Sequence, residues 1–178
     1  LKKPIKIAAG TVAMGPEGLN QVKLPEFLID RTPITNELYL NCVVCGKCSP
    51  PAREGSFSGR EPYFTNQTYR NHPVIYVAWH QASEFCIARG MELPSEAQWE
   101  MAARGIAGRT YPWGDLKPDR NVANYNYYYG DTSDVTSHPQ GATPEGVLDM
   151  AGNVWEWVLD SYDLSYAPPE PTQIKVIR

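Results

Sequence analysis

Two carboxylates, Asp149 and Glu156, flank the turn former Ala151-Gly152-Asn153. Such a turn exposes backbone carbonyls, and carbonyls with carboxylates are the oxygen donors a hard divalent cation takes. The same stretch, Gly146 to Val158, holds Trp155 and Trp157. Their alternation with Glu156 has the period of a strand, which predicts both indoles facing a core and the carboxylate facing away. A second chemically capable set is Cys42, Cys45 and Cys48, with Cys86 further along. The C-x2-C-x2-C spacing admits three readings: a short Cys42–Cys48 disulfide, a zinc site, or part of an iron–sulfur ligand set that recruits Cys86.

Short elements must position these groups. Pro (16) and Gly (14) are abundant, and Tyr (11) and Trp (5) outnumber Phe (4). That mixture predicts a fold dominated by turns and irregular backbone, held by amphipathic aromatics. Strands are expected over 4–7 and 11–14, a loop over 15–18, and another strand over 22–29. Thr35 is placed to cap a helix over 36–43, and 49–71 reads as loop. A buried strand follows over 72–77, then a helix over 80–89 stopped by Gly90. Ser95-Glu-Ala-Gln98 is a capping box, opening a helix that ends near Arg104 and Gly105. Tyr111–Asp115 reads as an aromatic turn, and 116–145 as a long ordered loop of the kind that needs an ion or a partner for support.

The net charge of −4, with no Lys/Arg cluster, gives no footprint for nucleic acid. No run of about 18 apolar residues is present, so no segment reads as a membrane span.

Five segments, in order, resemble the formylglycine-generating enzyme family, also called the sulfatase-modifying-factor or FGE-sulfatase family. They are Asp30-Arg-Thr-Pro-Ile-Thr-Asn36, His72-Pro-Val-Ile-Tyr-Val-Ala-Trp79, Glu92-Leu-Pro-Ser-Glu-Ala-Gln-Trp-Glu-Met-Ala-Ala-Arg104, Tyr111-Pro-Trp-Gly-Asp115 and Asp149-Met-Ala-Gly-Asn-Val-Trp-Glu-Trp157. The resemblance implies an α+β, C-type-lectin-like fold with short helices, a small mixed sheet and much irregular structure. It implies a single domain over 1–178 that lacks the family's C-terminal segment. It also implies calcium: one ion on the Asp149 and Glu156 side chains with the Gly152 and Val154 carbonyls, and a second at Asn124 and the Tyr125 carbonyl, with Asp131 a looser candidate. Cys42 and Cys48 match a cysteine-bracketed loop of bacterial members, which implies a disulfide and an oxidising, extracytoplasmic setting: periplasm, cell surface or secretion. Attachment to a membrane would then come through a partner or an N-terminal anchor.

Catalytic members carry a copper-binding cysteine pair after an R-G-G-S-x strand. Lys175-Val-Ile-Arg178 aligns with the residues before that strand, and none of the four cysteines falls at a catalytic position. His72, His80 and His138 lack the H-x3-H-x-E grouping of the sulfoxide-forming branch. The expectation is a non-catalytic binding or scaffolding domain, a subunit of a larger complex. A protein partner or a C-terminal continuation would cover the open sheet edge. The tyrosines of Tyr125-Asn-Tyr-Tyr-Tyr129 suit such an interface. The alternative is a copper oxidase whose cysteines lie beyond residue 178, copper entering only in that case. A third reading is electron transfer through a cysteine cluster.

Overall fold

Backbone pairing is divided among small antiparallel ladders. The computed structural model describes residues 3–14, 20–161 and 175–178, and the loop expected over 15–18 lies outside them. Strand β1 (Ile5–Ile7) pairs with β4 (Phe27–Ile29), and β2 (Gly10–Met14) pairs with β3 (Asn20–Leu24) in the register Val12↔Val22. Strand β5 (Trp157–Ser161) pairs with β6 (Lys175–Ile177). The one strand expected over 22–29 is two strands. Pro25 has no N–H to give a ladder, and the halves on either side take different partners.

Three α-helices, among the described residues, each add buried side chains to the core. Helix α1 spans Asn36–Val44, α2 spans Trp79–Ala88 and α3 spans Glu96–Arg104. The caps are those the sequence predicts: Thr35 Oγ1 accepts from Leu38 N at 3.3 Å, and Ser95 Oγ accepts from Gln98 N at 3.1 Å. Gln98 reaches back to accept from Ser95 N at 2.8 Å, completing the capping box. The Asp160 carboxylate accepts from Glu96 N at 2.6 Å, which ties the start of α3 to β5.

The strand expected over 72–77 does not form. Tyr76 has a φ of +59°, which breaks an extended run, and Val74 N donates to Ile34 O at 2.8 Å next to an isolated Thr35–Pro73 bridge. The segment is an irregular spacer between α1 and α2.

Two apolar clusters form the core. Met101, Ala102 and Ala103 of α3 pack on Ile7, Val12, Val147 and Met150. Tyr39 of α1 stacks on Phe85 of α2 with centroids 5.3 Å apart, and Phe64 meets Tyr39 edge-on. Cys42, Cys48 and Cys86 pack against this second cluster. The outcome is an α+β fold of few short helices and small ladders joined by ordered irregular chain.

Candidate functional site

Left-handed backbone shapes the acidic turn: Asp149, Gly152 and Asn153 have φ of +57°, +90° and +63°. Asp149 and Asn153 are residue types that tolerate this region, and glycine adopts it without strain. Gly152 is required for a second reason. A Cβ there would stand 2.5 Å from the Asn124 carbonyl oxygen, so the turn lies directly on the segment of the second predicted ion site.

Asn153 joins the two. Its N–H donates to Asn124 O at 2.8 Å, and its Nδ2 donates to Asp149 Oδ2 at 2.9 Å and to Ser133 O at 3.2 Å. Its Oδ1 accepts from Ser133 N at 2.9 Å. Asn124 Nδ2 donates to the Asp131 carbonyl at 2.8 Å. Sequence reading gave Asn153 only as a turn former, and its role as the link to Ser133 and Asn124 depends on contacts about twenty to thirty residues distant. The Ser133 hydroxyl, buried beside this network, has no hydrogen-bond partner among the described residues.

The alternation expected at 155–157 fails at Trp155 and Glu156 and holds at Trp157. Trp155 is 76% exposed, whereas the Glu156 side chain turns inward and accepts from Trp99 Nε1 at 2.8 Å. The turn carries the chain through Glu156, and extended backbone begins only at Trp157. Trp157 Nε1 donates to Val77 O at 2.9 Å and Trp79 Nε1 to Val158 O at 2.7 Å, so three indole N–H groups fasten this end of the turn.

Burial pushes the Glu156 carboxyl up to about 7 against the relief of its Trp99 bond, and the Asp149 charge adds to the rise. Burial likewise pushes Asp149 up to about 6, opposed by Asn153 and reinforced by Asp134. No lysine, arginine or histidine forms an ion pair with either carboxylate among the described residues. Two desolvated carboxylates with no cationic partner, beside a turn whose Gly152 carbonyl accepts from Val154 N at 2.9 Å, are a donor set that fits a hard cation. Among the described residues no three of the His, Cys, Asp and Glu side chains converge, so an ion here would have to rest on two carboxylates and backbone oxygens.

Asp131 is placed differently. Its carboxylate is taken by the Ser56 and Ser58 hydroxyls and by Arg60 Nε at 3.4 Å. Burial would raise it, but those donors and Thr132 N outweigh burial and hold it below the usual carboxylate range. The Tyr125 hydroxyl donates to Pro118 O at 2.8 Å, and its carbonyl accepts from Tyr128 N at 3.2 Å.

Glu156 and Val154 also line a cavity of about 660 Å³, walled by Tyr39, Phe85, Trp155 and Trp157. Leu28, 59% exposed, lies with Trp155 on its lining. Arg178 pairs backbone to backbone with Glu156. Cys42 and Cys48 form a disulfide with Cα atoms 5.3 Å apart, which removes the ligand set of the zinc and iron–sulfur readings. No helix among the described residues is long and apolar enough to cross a membrane.

The family model for the sulfatase-modifying factor enzyme 1-like domain matches residues 1–178. The chain belongs to this FGE-sulfatase family. It is 34% identical over 160 residues to the serine/threonine-protein kinase Pkn1 of Chlamydia trachomatis, covering 83% of this chain and 25% of that protein. It is 37% identical over 116 residues to the inactive Cα-formylglycine-generating enzyme 2 of Mus musculus, covering 60% and 36%. To the formylglycine-generating enzyme of Streptomyces coelicolor it is 38% identical over 117 residues, covering 57% and 36%. The crystal structure of CarF superposes with a TM-score of 0.70 at 21% identity, over 90% of this chain and 81% of that one, a likeness of fold. The chain thus spans about a quarter to a third of the length of these three relatives. In the FGE-sulfatase frame, the Asp149–Glu156 turn and the cavity it borders are the candidate site.

Proposed function

We propose that this FGE-sulfatase domain is a non-catalytic binding module that seats an apolar polypeptide segment in the cavity beside Glu156. The observation that carries the reading is the cavity itself, largely apolar and flanked by the exposed Leu28 and Trp155. Covering side chains of that size contributes on the order of 1.5–3 kcal/mol each. The segment comes from a partner chain or from a continuation of the same polypeptide.

Calcium clamps the wall of this seat. Asp149 and Glu156 with the Gly152 and Val154 carbonyls would hold one ion, and Asn124 with the Tyr125 carbonyl a second. Asp131 would join only by giving up a carboxylate now shared with Ser56, Ser58 and Arg60. When bound, calcium supplies charge compensation and rigidity. The Cys42–Cys48 bond supports an oxidising, extracytoplasmic setting.

Within residues 1–178 the cysteines do not match the family's copper-binding pair. Two thiols are consumed in the disulfide, burial pushes Cys86 up to about 11, and Cys45 is the exposed thiol left. The competing reading, a formylglycine-generating activity of the whole polypeptide, draws on the 38% identity to the Streptomyces enzyme. A direct assay separates them: the natural full-length protein is supplied with copper and a sulfatase-type cysteine peptide, and the peptide is analysed by mass spectrometry. The cysteine is expected to survive unconverted, and an aldehyde-bearing product would overturn the non-catalytic reading.

A further inference from the structure

Cys45 sits inside the loop that the Cys42–Cys48 disulfide closes, and α1 sets it three residues, about one turn, from Cys42. Cys45 is the C-terminal cap of α1, with φ −76° and ψ 1°, and its N–H donates to Asn41 O at 3.1 Å. Helical backbone therefore runs through Cys42 to Cys45. Residues three apart on an α-helix have Cα atoms about 5 Å apart. Disulfides form across Cα separations of roughly 4.4–6.8 Å. The existing Cys42–Cys48 pair spans 5.3 Å. Cys42 thus has two candidate partners at nearly equal reach, one half-buried (Cys48) and one exposed (Cys45).

We propose that Cys42, Cys45 and Cys48 form a thiol–disulfide exchange centre in which the disulfide moves between the Cys42–Cys48 and Cys42–Cys45 registers. The Cys45 thiolate donates its electron pair to Cys42 Sγ, the Cys42–Cys48 bond breaks onto Cys48, and the departing Cys48 thiolate takes a proton from solvent. One disulfide is present before and after, so no oxidant or reductant is consumed. Cys86 packs against the same apolar cluster but stays a spectator, because burial holds its thiol protonated at neutral pH.

The two registers differ in what they hold down. Cys48 precedes Ser49 and Pro50, whose oxygens take the Tyr39 hydroxyl at 3.1 Å and the Gln81 amide at 3.0 and 2.8 Å. Tyr39 lines the cavity. The Cys42–Cys48 register straps this segment against the cavity wall, and the Cys42–Cys45 register releases it. The exchange itself does not depend on what occupies the cavity.

Two measurements test it. In oxidised Cys48→Ser protein, alkylation after denaturation followed by peptide mapping should label Cys86 and leave Cys42 and Cys45 unlabelled and joined to each other. Labelling of Cys42 and Cys45 overturns the geometry. In the wild-type chain, equilibration at pH 8, alkylation and peptide mapping should show a population with Cys48 labelled, and Cys45→Ser should abolish that labelling. Cys48 unlabelled in the wild type, or labelled equally in Cys45→Ser, overturns the exchange.

Discussion

Replacing Glu156 by glutamine isolates the charge that the acidic turn has to manage. The carboxyl is raised from 4.5 to about 7, chiefly by burial. A shift of that size corresponds to about 3 kcal/mol of penalty on the ionised form. Because the folded value is the raised one, the folded chain binds more protons than the unfolded chain between about pH 4.5 and 7. Stability is therefore highest below that window and falls as pH rises through it. In calcium-free buffer at pH 8, Glu156→Gln should raise stability by up to about 3 kcal/mol, and by little at pH 4.5. For a chain of this length that is roughly 6–12 °C in Tm. Calcium should close most of that gap. At a hundredfold excess over its Kd, a bound ion stabilises by about 2.7 kcal/mol. The variant should keep at most the smaller response of the Asn124 site at pH 8, and the wild-type gain should fade as protons compete below pH 7. Paired thermal melts in calcium and in chelator, at both pH values, read all four terms. The reasoning fails if chelator leaves the wild-type Tm unchanged, if the variant responds to calcium as the wild type does, or if the variant is less stable in chelator at pH 8.

Ser95→Ala removes the cap oxygen from Gln98 N and should cost about 1 kcal/mol, seen as a lower denaturation midpoint with an unchanged slope. Gly152→Ala places a methyl 2.5 Å from the Asn124 carbonyl at a φ of +90°. Strain of that kind costs of order 1–3 kcal/mol before the clash is counted, so a marked drop in Tm is expected together with loss of the calcium response. A Tm within error of wild type would mean that the turn does not rest on Asn124.

Much of the scaffold was legible because its signals are local. The Thr35 cap and the Ser95–Gln98 box fix α1 and α3 within four residues of their starts, and the structure keeps both. The signals that misled were local as well. Periodicity put Glu156 outward and Trp155 inward, but left-handed residues at Asp149, Gly152 and Asn153 rotate the chain before β5 begins. The apolar run His72–Val77 has strand composition, and only the positive φ at Tyr76 shows that it cannot extend. Groups joined across long sequence distances left no periodic trace. Asp131 meets Ser56 and Ser58 across more than seventy residues, and Trp99 meets Glu156 across fifty-seven.

The most direct test of a seat for an apolar segment is a photo-crosslinking phenylalanine analogue at position 28, on the cavity lining, in the natural full-length protein within its own host. Crosslinked peptides identified by mass spectrometry should place an apolar segment at the cavity, from a partner or from the same polypeptide, and Trp155→Asp should abolish the crosslink. A position 28 that joins no polypeptide, or whose crosslinks are indifferent to Trp155→Asp, would contradict the binding role.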